Sequence, residues 1–173
     1  MDHNHKCDHT KCTTANASVV QTLSEMDWER GLWYAAFNGD LERVKCLIRK
    51  ARDAKELVNT LDNSGYAPLH YAARKGHAEV CNILLQNGAH IDVLTKSGQA
   101  TPLHKAAAAG NTETMLFLIK SGACVYAQDI DGQTILHKAA ENKHHSLVNT
   151  LLGQYPQLAH MKNVKGHVAN ATP

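Results

Sequence analysis

The sequence has little of what announces most function classes. Aromatic residues make up 5% of its 173 residues, so a core must be built chiefly from Ala, Leu, Ile and Val. Neither sign of charge dominates: 18 basic and 16 acidic side chains leave a formal net charge of +2. No strong field therefore points to nucleic acid or to an anionic membrane. Apolar runs such as Met115 to Ile119 are far too short for a membrane-spanning helix. No G-x-S-x-G, phosphate loop, H-E-x-x-H or C-x-x-C occurs, which argues against an enzyme. The first twenty residues are polar and His-rich, unlike a secretory signal peptide, so the expected location is the cytoplasm, the nucleus or both. In that setting Cys7, Cys12, Cys46, Cys81 and Cys124 read as thiols or metal ligands rather than a disulfide framework.

What is present is enough apolar material for a core, 43% plus 11 glycines, and an unusual 12 histidines. The histidines fall into order once the chain is aligned with itself. Ala67-Pro68-Leu69-His70-Tyr71-Ala72 is followed by Thr101-Pro102-Leu103-His104-Lys105-Ala106 and then by Thr134-Ile135-Leu136-His137-Lys138-Ala139, with the histidines 34 and 33 residues apart. Each block continues in parallel: Gly76-His77-Ala78-Glu79, Gly110-Asn111-Thr112-Glu113 and Lys143-His144-His145-Ser146, each leading into a Leu/Ile-rich stretch. A further copy lies upstream at Leu32-Trp33-Tyr34-Ala35-Ala36 and Gly39-Asp40-Leu41-Glu42. Thr101 and Thr134 suit helix N-caps, Pro68 and Pro102 suit a first helical turn, and the loop glycines suit left-handed helix ends.

These blocks resemble the ankyrin repeat, whose signature includes T-P-L-H-x-A at a period of about 33 residues. The resemblance implies an all-α solenoid of helix-loop-helix units joined by short β-hairpin turns. It gives about four repeats, 27–61, 62–95, 96–128 and 129–163, within an array over 24–163. Residues 1–23 read as a polar, disordered tail, and 164–173 as the remnant of a truncated fifth repeat whose hairpin would fray. The resemblance also implies that His70, His104, His137, His77 and His144 are scaffold residues tying loop backbone together.

The departures from the pattern are informative. Trp33 stands where His is expected in the first, capping repeat. About four residues are inserted within Arg52 to Leu61, and one near Gln99-Ala100. Lys143 replaces a loop glycine, where a left-handed lysine is uncommon. Tyr155-Pro156 replaces Gly-Ala.

The family implies partner binding on the concave face, through hairpin tips and the ends of first helices. Carried over by position, the candidate partner-binding residues are Phe37, Asn38, Tyr66, Arg74, Lys75, Gln99, Asp131 and Glu141. Along the array that groove runs apolar, basic, small and acidic. Phe37, Tyr66, Arg74 and Lys75 form the anchor set, since aromatics and Arg dominate hot spots. The expected function is non-catalytic: an adaptor or scaffold, monomeric, binding a protein with an apolar anchor beside acidic residues. The competing reading is that Phe37 packs the cap and the charges are merely solvated.

A different function class rests on the tail. Cys7 and Cys12, with His3, His5 and His9, could bind zinc, making a metal-binding or redox-responsive module. The alternative there is a polar tail with incidental histidines, because no apolar residues fix a site. His137, Glu141, His144 and His145 form a third cluster; His137 and His144 sit at scaffold positions, which argues against a metal or acid–base role there. Cys46 and Cys81, on or beside buried stripes, read as inert thiols.

Overall fold

Caps and breakers divide the chain into helix pairs. The computed structural model describes residues 31–169. The first pair is α1 (Leu32–Asn38) and α2 (Leu41–Lys50), followed by an extra short helix, α3 (Ala54–Asn59). Then come α4 (Pro68–Lys75) with α5 (Ala78–Gln86), α6 (Pro102–Ala109) with α7 (Thr112–Lys120), and α8 (Ile135–Glu141) with α9 (His145–Gln154), closed by a 3-10 turn at Pro156–His160. Asp40 and Asp53 accept the N–H groups of Arg43 and Glu56, each at 3.0 Å, and so cap α2 and α3. Pro68 and Pro102 open α4 and α6, where a missing N–H costs nothing.

The helices form two layers. Inner helices α1, α4, α6 and α8 pack in succession, and outer helices α2, α5 and α7 pack behind them. Ala35, Ala36, Ala72, Ala73, Ala106, Ala107 and Ala139 are fully buried, which lets the inner helices approach closely. Leu69, Leu103 and Leu136 fill one repeated core position, and Leu84, Met115, Leu118, Leu147 and Leu151 supply the outer-layer stripe. Truncating one such buried leucine to alanine generally costs roughly 2–5 kcal/mol, so each repeat depends on its neighbours.

Histidine at the third helical position ties each repeat to the next. The N–H groups of Ala67, Thr101 and Thr134 donate to Nδ1 of His70, His104 and His137 at 3.1, 3.3 and 3.2 Å. With Nδ1 an acceptor, the neutral ring carries its proton on Nε2. That N–H donates to the carbonyls of Ala100, Gln133 and His167 at 3.0, 3.0 and 3.1 Å. In the first repeat the indole N–H of Trp33 donates instead to Thr60 O at 3.0 Å, so the substitution keeps the donor. A second tie runs through the loops. His77 donates to Phe37 O at 3.1 Å, Asn111 to Ala73 O and Arg74 O at 3.1 and 2.8 Å, and His144 to Ala108 O at 3.0 Å.

Between repeats the chain turns through hairpins opened by Asp62, Thr95, Asp129 and Asn163. The turns stay short: the Lys162–Val168 bridge is the one isolated β-bridge among the described residues. Neighbouring tips are joined by backbone bonds from Lys96 N to Gly65 O, Ile130 N to Gly98 O and Val164 N to Asp131 O, at 3.4, 3.0 and 2.9 Å. The two insertions take definite forms. The one within 52–61 is α3. The one near Gln99-Ala100 lengthens the Thr95–Ala100 turn by a residue, with Gln99 at φ 49. A repeat boundary at 163/164 cuts through the last hairpin, in which Asn163 N donates to His167 O at 2.8 Å.

Candidate protein-binding groove

Side chains one turn apart on the inner helices fall into rows that run across the repeats. Aligning the inner helices gives three rows. One reads Tyr34, Tyr71, Lys105, Lys138; the next Phe37, Arg74, Ala108, Glu141; the third Asn38, Lys75, Ala109, Asn142. Two adjoining concavities lie on these rows. The first, of about 460 Å³, is lined by Tyr66, Arg74, Lys75, Lys105, Ala108, Ala109 and Asn142. The second, of about 330 Å³, is lined by Gly98, Ala100, His104, Lys105, Ala108, Asp129, Asp131, Lys138, Glu141 and Asn142. They share Lys105, Ala108 and Asn142, so the groove is continuous and changes sign from basic to acidic.

Half-buried aromatics connect the first repeat to the basic concavity. Phe37 meets Tyr71 edge-on at 6.2 Å, and Tyr71 lies 5.6 Å from Tyr66 between ring centroids. Tyr71 donates its hydroxyl to Asp62 Oδ2 at 2.5 Å, and Asp62 Oδ1 accepts the Tyr66 N–H at 2.8 Å. Lys75 Nζ lies 4.2 Å from the Phe37 ring centroid. Lys105 Nζ lies 4.7 Å from the Tyr66 centroid and donates to its hydroxyl at 3.0 Å. Such cation–π contacts hold each ammonium at a fixed place on the groove wall.

The acidic end is partly neutralised from within. Asp129 forms an ion pair with Lys138 at 2.7 Å and accepts the N–H groups of Asp131 and Gln133 at 3.0 and 2.9 Å. Burial alone would raise the Asp129 carboxyl; the Lys138 hydrogen bond and those backbone donors outweigh it and hold the group below its ordinary value. Gln133 links Lys138 to Glu141, while Asp131 is exposed at its hairpin tip.

Of the residues expected from sequence, Tyr66, Arg74 and Lys75 share the first concavity, and Asp131 and Glu141 the second. Phe37 stands beside the first, under Lys75. Asn38 donates to Tyr34 O at 3.0 Å and lines neither concavity; nor does Gln99, which is exposed on its turn. Tyr71, Lys105 and Lys138 were missed. They occupy the variable position of the T-P-L-H-x-A block, and the signal was that row read across the repeats. Asp62 and Asp129 were missed too, although Asx three residues before Gly, repeated at Asp62, Asp129 and Asn163, marks Asx turns.

Cys7, Cys12, His3, His5 and His9 lie outside the described residues. Within the described residues, no three His, Cys, Asp or Glu side chains group to hold a metal ion. His137 has both ring nitrogens bonded. Cys81 is buried, and burial pushes its thiol up to about 12; Cys46 is half-buried and Cys124 exposed. No helix among the described residues is long and apolar enough to cross a membrane.

Comparison with known proteins decides the family. The family described as "Ankyrin repeats (3 copies)" matches residues 9–95 and 92–162. The chain belongs to the ankyrin-repeat family. Among curated relatives it is 52% identical to human ankyrin repeat domain-containing protein 39 over 89 residues, and 54% identical to the bovine protein of that name over 71 residues. Those matches cover 51% and 41% of this chain and 45% and 35% of the relatives, so the chain spans less than half the length of the curated relatives it matches. An Arabidopsis thaliana protein, "E3 ubiquitin-protein ligase XBAT32", is 37% identical over 141 residues, 78% of this chain but only 27% of that protein. Ankyrin repeats are protein–protein interaction modules, and family relatives are generally non-enzymatic, though some larger relatives carry enzyme names.

Proposed function

We propose that this chain is a non-catalytic adaptor that binds a segment of a partner protein along the concave groove of repeats one to three. The partner presents an apolar anchor over the Phe37–Tyr71–Tyr66 aromatics and acidic residues to Arg74, Lys75 and Lys105. One observation carries the reading: three cations and an aromatic hydroxyl gather around one concavity whose lining has no carboxylate. Neither of the two ion pairs among the described residues, Lys45–Glu42 and Lys138–Asp129, neutralises them. A core-facing explanation does not account for them, since Arg74 and Lys75 are exposed.

The test is a paired affinity capture. One bait is the parent chain and the other carries Phe37→Ala, Arg74→Glu and Lys75→Glu, with circular dichroism verifying that it folds. Because Phe37 is half-buried, a second variant, Arg74→Glu/Lys105→Glu, keeps the aromatic row. The expected result is a partner retained by the parent chain and lost by both variants. Recovery of the same partners by all three baits would remove the groove from consideration.

A further inference from the structure

We propose that the basic concavity between repeats two and three receives a phosphorylated serine or threonine side chain of the partner segment. The inference rests on the groove reading and narrows it. Arg74 and Lys75 reach the concavity from the end of α4, and Lys105 from α6. The charge they gather is +3 over a 460 Å³ space. A single carboxylate brings one charge and two oxygens. A phosphomonoester brings about −1.5 to −2 and three strong acceptor oxygens, which matches three cations on one lining. Arg74 supplies the fork that pairs bidentately with phosphate oxygens, and the lysines supply point charges.

The setting favours a compact dianion. Ala108 and Ala109 form part of the lining, and their small side chains leave room for a tetrahedral group. Lys105 is already fixed by its bond to the Tyr66 hydroxyl at 3.0 Å, so little ordering remains on binding. The helix dipole rationalises Arg74 and Lys75 at the end of α4 but not Lys105, which lies in the N-terminal half of α6. The neighbouring concavity argues against an extended polyanion. Asp131 and Glu141 would repel a nucleic-acid backbone or an anionic membrane laid along the same groove. They also predict a second feature of the ligand. Packed helices stand about 8–10 Å apart, and an extended chain rises about 3.3 Å per residue. A Lys or Arg about three residues from the phosphoresidue would therefore reach the acidic end.

The test uses the full chain and a degenerate peptide pool centred on phosphoserine, beside the same pool centred on serine and on glutamate. The expected result is binding of the phosphoserine pool at least about tenfold tighter than the serine pool, or about 1.4 kcal/mol, with Lys or Arg enriched about three residues away. Arg74→Gln/Lys105→Met removes the preference for phosphate, and Lys105→Arg retains it. Asp131→Asn/Glu141→Gln loses the Lys/Arg enrichment and keeps the phosphate preference. Equal binding of the phosphoserine and serine pools would overturn the inference. So would phosphate preference that survives Arg74→Gln/Lys105→Met, or capture by phosphoinositide vesicles without binding of the peptide pool. The two readings fail separately. A partner that still needs Arg74 and Lys105 after phosphatase treatment leaves the groove standing and removes the phosphate; a partner indifferent to those residues removes the groove.

Discussion

Two sets of histidines hold this stack together, and they obey different rules. His70, His104 and His137 lie inside the inner layer with both ring nitrogens bonded, Nδ1 accepting and Nε2 donating. His77 and His144 lie in the loops and use Nε2 as a donor to the preceding repeat. Repeat three replaces the loop histidine with Asn111, which makes the same tie through its amide. No such exchange occurs at the inner position in repeats two to four. A site that needs only a reaching donor accepts any side chain with an N–H at the right length. A site that needs an acceptor and a donor on opposite edges of one buried ring accepts imidazole. The sharpest way to break this comparison is acid. Burial is the main reason that His70 is pushed down to about 4 and that His104 also lies below its ordinary value; Lys105 near the first and Lys138 near the second act in the same sense. A folded-state value below the unfolded one means that the native state resists protonation. The stabilisation is therefore intact above about pH 6.5 and is lost as pH falls toward about 4. For His70 alone the full loss is about 3 kcal/mol. Urea melts between pH 7.5 and pH 4.5 should show most of it. The lowered Asp129 carboxyl stabilises the fold above its ordinary value of 3.8 and loses that contribution as pH falls below it, outside that window. Stability that stays flat over the window would mean that His70 and His104 take up protons as readily in the fold as in the unfolded chain, and that Nδ1 is not held as an acceptor.

The next largest effect separates the two sets directly. His104→Asn cannot span from the Thr101 N–H to the Gln133 carbonyl. It leaves buried groups unpaired, at about 1–3 kcal/mol. His144→Asn reproduces what Asn111 already does in repeat three and should cost under about 0.5 kcal/mol. Paired denaturant melts of the two variants decide it; equal losses would show that the inner ring is not held to a stricter requirement than the loop ring.

Much of this was legible in the sequence, for reasons that can be named. The repeated Thr/Ala-Pro-Leu-His block records a cap, a first turn, a core leucine and a relay, each fixed by local chemistry. The insertion within 52–61 was legible as a position but not as a helix, because spacing counts residues rather than conformation. Asp53 and Glu56, three apart, carried the missing N-cap signal. In the groove, Arg74 and Lys75 followed from their place at a helix end. Tyr71 and Lys105 did not, because a search for periodicity sets aside the position that varies, and in a binding surface that position carries the specificity. A boundary after Asn163 divides the last hairpin at its first residue, because the turn needs only Asn163 and Gly166 and no helical pattern follows to mark it.

Lys143 raises the question of why repeat four could give up its loop glycine. Gly39, Gly76 and Gly110 have φ of 72, 83 and 75°, and Lys143 has φ 60°, so all four loops turn the same way. The difference lies in what packs over them. A Cβ at Gly110 would stand 2.6 Å from the His144 ring, one at Gly39 2.7 Å from the His77 ring, and one at Gly76 3.0 Å from Asn111. Each glycine leaves room for the loop side chain of the repeat that follows. Lys143 is exposed, and no such side chain covers it among the described residues. There the conformational requirement remains and the steric one is gone, so a lysine is tolerated at the cost of a left-handed backbone. Gly110→Ala should then destabilise by about 2 kcal/mol, combining the left-handed strain with loss of the His144 tie. Lys143→Gly should stabilise by about 0.5–1 kcal/mol, the left-handed cost removed less the added chain entropy of glycine. Thermal melts of the two variants read both signs. A destabilising Lys143→Gly would show that the lysine side chain has a holding role of its own, and that this loop resembles the other three more than its exposure suggests.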